Sequence, residues 1–244
     1  RSAIPGGRLT SEQMLAELDL CDEVGNTTLR ITTRQGLQLH GVLKQNLKQT
    51  IARINEVQLS TLAACGDVRR NVMAPPCPFN GDPVHREMQD LADELAERLK
   101  PQTKAYHQIW LTDGETGETQ LVASSNSHNG MTNGNAALSD HSSFDIRHSS
   151  LQPDPVEPIY GPTYLPRKFK IAIALPGDNS TDIYSNDVGL LAICEDWHVV
   201  GYNVLVGGGF GVTPSAKKTY AAVALPMGYI EADRVVDLVV AIVK

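Results

Sequence analysis

The chain has 244 residues, a formal net charge of -7, 41% hydrophobic residues and 20% charged residues. That composition is ordinary for a soluble globular protein with room for one large domain or two modest ones. The acidic balance argues against a general nucleic-acid or anionic-membrane binder, and no apolar run approaches the length of a membrane-spanning helix.

The N-terminus has no apolar h-region, so no signal peptide is visible. A chain that opens on Arg1 and closes on an uncapped apolar helix reads as a processed or truncated product. Thr10 and Gln13 have capping-box spacing, and a first helix is predicted over about Ser11 to Val24, with Met14, Leu15 and Leu18 as its apolar stripe and Gly25 as its stop. From Leu29 to His40 the odd positions Leu29, Ile31, Leu37 and Leu39 are apolar. Alternation along one strand then puts Arg30, Arg34, Gln38 and His40 on a shared polar face, with a bend at Gly36. A second helix is predicted over about Leu47 to Val57, capped by Asn46.

The segment Cys65-Gly-Asp-Val-Arg-Arg-Asn-Val72 leads into the proline-rich stretch Ala74-Pro-Pro-Cys-Pro78, which reads as a domain boundary. A third helix follows over about Val84 to Leu99, ended by Pro101, and then a short strand at Gln108–Leu111. The stretch 112–158 is polar and unpatterned and reads as a mobile surface insertion. Its histidines His128, His141 and His148 match no compact metal-ligand spacing. Order returns in Leu165-Pro-Arg-Lys-Phe-Lys170 and the strand after it. There Phe169, Ile171, Ile173 and Leu175 share one face, and Lys168, Lys170, Ala172 and Ala174 the other. Two lysines above two alanines leave room for a bulky anion. Strands are predicted at Val188–Cys194 and His198–Val206, then the glycine run Gly207–Gly211, then a last helix from near Glu231.

Positive charge concentrated in an acidic chain needs a reason. If the segments carrying Arg1, Arg70, Lys168 and Lys170 converge, they form a cationic pocket for a compact anion, and lysines in it can also donate protons. Arg30 and Arg34 on one strand lie about 13–14 Å apart, a reach suited to carboxylates spread around a wide ring. Two plainer readings stand beside these: a solvated sheet face for the arginines, and an edge-strand guard against aggregation for the lysine pair. The glycine run does not fit GxGxxG. No P-loop, GxSxG elbow or HExxH occurs. The cysteines Cys21, Cys65, Cys77 and Cys194 are scattered without a CxxC pair, which reads as free thiols in a reducing compartment.

Several motifs in order carry a family resemblance: Leu29-Arg-Ile-Thr-Thr-Arg-Gln35 with Leu39-His-Gly41, Cys65 to Pro75, Tyr164-Leu-Pro-Arg-Lys-Phe-Lys170, and Leu205-Val-Gly-Gly-Gly209. The chain resembles the siroheme-dependent sulfite and nitrite reductases. It looks most like the ferredoxin-dependent branch of assimilatory sulfite reductase haemoproteins. The resemblance implies an α+β fold, with a ferredoxin-like half-domain at 1–78 followed by a mixed α/β siroheme-binding half-domain at 79–244. It implies that Arg1, Arg70, Lys168 and Lys170 bind the sulfite or nitrite anion. It implies further that Arg30, Arg34, Gln38, His40, Asn71 and Gly207, Gly208 and Gly209 contact siroheme.

Nitrite reductases of the family tend to carry asparagine at the second lysine, so Lys170 favours sulfite. Sulfite is the more highly charged anion and its six-electron reduction consumes protons. The family couples siroheme to a 4Fe–4S cluster through cysteine pairs that this chain does not contain. The implied reading is one half of a sulfite reductase, without metal ligands of its own. Its implied partners are ferredoxin and a C-terminal half carrying the cluster, in the cytoplasm or a plastid stroma. The alternatives are a ferredoxin-dependent nitrite reductase and a non-catalytic siroheme-binding fragment.

Overall fold

A computed structural model describes residues 1–76, 81–103, 108–112, 116–117, 119–124, 156–216 and 218–244. Helix α1 spans Ser11–Glu23, and its capping box is complete. Gln13 N donates to Thr10 Oγ1 at 3.1 Å, and Thr10 N donates to Gln13 Oε1 at 3.0 Å. Met14 packs against the small core as expected, but the rest of the expected stripe does not. Leu15 and Leu18 are exposed, while Glu17, Leu20 and Cys21 are buried. Helical periodicity fixes which residues share a face but leaves open which face turns inward. The buried Glu17 carboxylate is tolerated because it accepts from Ser2 Oγ.

The stretch expected to be one strand is a hairpin. Strands β1 (Leu29–Ile31) and β2 (Leu37–Leu39) pair antiparallel, with Arg30 opposite Gln38. The reversal is a Thr32–Gly36 turn whose left-handed residue is Gln35 (φ 54°), not Gly36. Gln35 is held there by a reciprocal pair: its Nε2 donates to Ala74 O at 2.7 Å, and Ala74 N donates to its Oε1 at 3.1 Å. Helix α2 (Leu47–Glu56) follows a 3-10 turn at Lys44–Asn46, so Asn46 is already in helical conformation and its side chain caps nothing. Ile4, Leu20, Val24, Leu37, Ile54 and Leu59 form a small core between these elements.

Helix α3 (Pro83–Arg98) starts at Asp82, whose carboxylate accepts from Val84 N and His85 N. It buries Met88, Leu91 and Leu95. A two-stranded pair, β3 (Gln108–Thr112) and β4 (Thr119–Ser124), follows. Strand β4 lies inside the stretch read as unstructured. His128, His141 and His148 lie outside the described residues.

The main sheet has the order β5 (Ile171–Ala174), β6 (Val188–Glu195), β7 (His198–Val206) and β8 (Leu225–Glu231). Its first pair is parallel and the other two are antiparallel. Strand β8 was not expected, because Pro226 and Gly228 depress a strand reading; at an open edge both are tolerated. Helix α4 (Val235–Val243) packs against α3 and buries Val235, Val239 and Val243 in the larger core. That core also takes Ala63, Val68, Val72 and Ala74, which lie on the N-terminal side of the expected division at residue 78.

The space over Ala172 and Ala174 is filled, contrary to expectation. Both alanines are buried, and Ala174 packs with Ile183, Leu205 and Ala224. Gly208 permits that cover. A Cβ there would collide with Tyr184 O and lie 2.5 Å from Asn186 O. Gly208→Ala is expected to destabilise the protein by about 1–3 kcal/mol, because backbone cannot give way as a flexible side chain can. An unchanged urea midpoint would contradict this.

Candidate functional site

The segment 68–73 adds to the free side of β5 in the parallel direction. Phe169 N donates to Val68 O at 3.0 Å, and Arg70 N donates to Phe169 O at 2.6 Å. Arg69 therefore pairs with Phe169. Alternation sends Arg70 to the other face, with Lys168 and Lys170. The N-terminal segment pairs with the hairpin through Ser2 N to Leu37 O at 2.9 Å, which brings Arg1 beside Gln38. Arg1 Nε donates to Gln38 Oε1 at 2.7 Å.

These segments enclose a pocket of about 970 Å³, lined by Arg1, Arg30, Arg34, Arg70, Arg167, Lys168 and Lys170. Asp182 is the one acidic residue among its lining residues. Seven cations against one carboxylate make the pocket strongly electropositive in an acidic chain.

Asn71 organises the junction. Its Oδ1 accepts from Ile4 N at 2.8 Å, and its Nδ2 donates to Ile4 O at 2.6 Å and to Arg34 O at 2.8 Å. It is buried, so it positions the Arg1 segment against the hairpin turn.

Arg34 is a clasp more than a free ligand. Nε donates to Asn71 O at 3.2 Å, and Nη1 to Asn186 Oδ1 at 2.8 Å. Nη2 donates to Asn71 O at 2.8 Å and Ile171 O at 2.7 Å. Four of five guanidinium N–H groups are thus engaged, leaving one for a ligand. Burial, and next the neighbouring Arg70, lower its pKa to about 10, so it remains a cation at neutral pH. The reach of about 13–14 Å expected between Arg30 and Arg34 on one straight strand does not apply, because the chain reverses between them.

Lys170 is pre-positioned: its Nζ donates to Ser185 O at 2.6 Å, and its backbone N donates to Asp187 Oδ2 at 2.7 Å. An ammonium has three donors, so two remain. Arg30 and Lys168 are exposed at the pocket wall, and their side chains make no hydrogen bond or ion pair among the described residues. Burial lowers the Lys170 pKa, with Arg34, Arg167 and Lys168 adding to the effect and Asp187 opposing it. Lys170 therefore loses its charge at lower pH than an ordinary lysine. Sulfate affinity is expected to fall as the pH rises, beginning below the ordinary lysine range, and Lys170→Arg should move that fall upward. Calorimetric titrations at stepped pH check this; a fall unaltered by Lys170→Arg refutes it.

Of the residues read from sequence, Arg1, Arg30, Arg34, Gln38, Arg70, Asn71, Lys168 and Lys170 line the pocket. His40 does not: β2 ends at Leu39, and His40 Nδ1 lies 3.1 Å from Thr28 Oγ1. Gly207, Gly208 and Gly209 do not line it either; Gly208 lies against Tyr184 O and Asn186 O, and Gly209 faces the Arg167 guanidinium. Sequence reading missed Arg167, Thr181 and Ser185, and Gly211–Thr213 from the end of the glycine run onward. Arg167 was within reach, since it adjoins Lys168 in a basic run. Cys21, Cys65 and Cys194 are unpaired, and Cys77 lies outside the described residues. No helix among the described residues is long and apolar enough to cross a membrane.

The α+β frame thus surrounds a pocket walled by cationic side chains. The nitrite/sulfite reductase ferredoxin-like half domain matches residues 1–57, and the nitrite and sulphite reductase 4Fe–4S domain matches residues 123–244. The chain belongs to the nitrite and sulphite reductase family.

Sulfite reductase (NADPH) hemoprotein beta-component of Staphylococcus saprophyticus is 44% identical over 238 residues, covering 98% of this chain and 36% of that protein. Sulfite reductase (NADPH) subunit beta of Schizosaccharomyces pombe is 43% identical over 242 residues, covering 99% of this chain and 15% of that protein. The structure of the Mycobacterium tuberculosis NirA protein shares the fold, with a TM-score of 0.63 at 20% identity over 99% of this chain and 32% of that one. The chain therefore spans about a third of the first of these relatives and less of the second.

Proposed function

We propose that this chain forms the anion- and siroheme-carboxylate-binding part of a sulfite reductase. The observation that carries the reading is the convergence of Arg1, Arg70, Lys168 and Lys170 in one pocket, with Arg30 beside them. A pocket of about 970 Å³ walled by cations suits a wide, flat polycarboxylate with a small oxyanion above it. Arg30, Gln38 and the one free N–H of Arg34 would hold carboxylates. When bound, siroheme supplies redox-active iron.

The chain's own residues do the rest. Lys168, Lys170, Arg1 and Arg70 hold the sulfite oxygens and stabilise charge that builds on them as electrons arrive. The two lysines donate protons to oxygens that leave as water. Overall, sulfite takes up six electrons and seven protons to give hydrosulfide and three waters.

The 4Fe–4S cluster does not fit the donors present here. Such a cluster takes four thiolates, and Cys194 is the single cysteine in the 123–244 match. Among the described residues no three His, Cys, Asp or Glu side chains form a metal-binding group. The cluster would be held by residues beyond this chain. NADPH in the relatives' names favours an NADPH-linked electron source over the ferredoxin expected from sequence.

The test is turnover by a polypeptide that carries this segment within a chain of its relatives' length. With reduced methyl viologen, sulfide is expected from sulfite, and nitrite should be the poorer substrate. A protein with full siroheme absorbance that makes no sulfide, or that prefers nitrite, would overturn the reading. Competition between ferredoxin and an NADPH-linked reductase as donors decides the electron source.

A further inference from the structure

Alternation along 68–73 sends Arg69 away from the pocket that receives Arg70. Arg69 lines a second cavity of about 580 Å³, between the N-terminal segment and α3, together with Arg8, Asp93, Glu97 and Lys100. Arg69 is 4% exposed. Its Nη2 donates to Ala96 O near the C-terminus of α3, where a cation is favourably placed. Its Nε and Nη1 are buried and have no hydrogen-bond partner among the described residues. Buried donors are nearly always satisfied. Neither neighbouring carboxylate hydrogen-bonds it, although Tyr160 and Glu97 lie close enough to favour its charge. Asp93 pairs with Arg8 at 2.9 Å and Glu97 with Lys100 at 3.5 Å. Three cations therefore face two carboxylates, both already engaged.

We infer that this cavity is a second oxyanion site, in which Arg69 takes a carboxylate or phosphate group with Lys100 and Arg8 at its rim. A planar guanidinium with two unpaired donors matches two oxygens of one oxyanion; both atoms are covered in this structure, so Arg69 turns toward the cavity to present them. Burial lowers the Arg69 pKa to about 10, so the cation persists at neutral pH. The site is independent of the sulfite reading, because no residue assigned to the sulfite pocket lines it.

Two sources supply this chemistry: a free small oxyanion, or a carboxylate side chain of the same polypeptide. Calorimetric titration with inorganic phosphate separates them from each other and from no site at all. Wild type should bind phosphate in two classes. Arg70→Met with Lys168→Met should remove one class, and Arg69→Met the other. Lys100→Met, at an exposed rim position and so without risk to folding, should weaken the second class by about three- to tenfold. A crystal structure grown with phosphate should show it on Arg69. If instead a carboxylate of the polypeptide sits there and excludes phosphate, the oxyanion chemistry holds and its source is the chain. Phosphate stoichiometry unchanged by Arg69→Met and Lys100→Met, with no oxyanion on Arg69 in the crystal, would overturn the inference.

Discussion

Lys170→Met is expected to lower kcat/KM for sulfite by about 10²- to 10³-fold, the scale of losing one pre-organised donor from an oxyanion site. Lys170 is the better-fixed of the two lysines. Ser185 O and Asp187 Oδ2 hold it from both ends of the residue, and two ammonium donors stay open. A donor already in place needs no reorganisation when charge develops on the substrate. Lys168 is exposed and makes no contact that fixes it among the described residues. Lys168→Met should therefore raise KM more than it lowers kcat. Lys170→Asn keeps a donor but drops the charge, so sulfite should lose more than nitrite and the preference should narrow. Steady-state rates for both anions, with siroheme content measured for each variant, give the answer. Equal losses for Lys168→Met and Lys170→Met would remove the argument from pre-positioning. A sulfite preference untouched by Lys170→Asn would remove the argument from charge.

Arg34→Ala is expected to destabilise the fold by about 3 kcal/mol and to abolish cofactor retention. The guanidinium ties the hairpin turn to Asn71 O, Ile171 O and Asn186 Oδ1, three segments far apart in sequence. Removing it leaves those acceptors without their charged donor in a largely buried place, and hydrogen bonds to charged groups are each worth roughly 1.5–3 kcal/mol. Arg34→Lys should recover only part of the loss, because one ammonium cannot span the fork. Denaturant unfolding of the three proteins measures it. A midpoint for Arg34→Ala within error of wild type would mean that the clasp contributes nothing.

Arg34 also marks the limit of reading a strand from alternation. The period-2 pattern from Leu29 to His40 correctly paired Arg30 with Gln38 on one face, since an antiparallel hairpin preserves facing for directly opposed residues. It placed Arg34 on the same strand because the local signal, Gly36, marks a bend without saying that the chain reverses. The left-handed residue is Gln35, and its reciprocal bonds to Ala74, 39 residues away, help hold it there. Strand β8 escaped for a related reason. Pro226 and Gly228 are poor strand residues, and their tolerance at a sheet edge depends on where the strand lies.

Much of this protein is written locally. The complete capping box of α1, the Met88, Leu91 and Leu95 face of α3 and the bounds of β7 follow from side-chain chemistry over a few residues. So does the clustering of basic residues in three short motifs. Long-range contact settled the rest. It turned Leu20 of α1 inward in place of Leu15 and Leu18, and filled the space over Ala172 and Ala174 with Ile183. It made Arg34 a clasp and moved His40 and Gly207, Gly208 and Gly209 out of the pocket wall. Adjacent arginines show the division most plainly. Arg69 and Arg70 are alike in sequence, yet the register with Phe169 sends one to each cavity. A side chain's charge is a property of the residue. The cavity that charge serves depends on which segment pairs beside it, and that pairing is non-local.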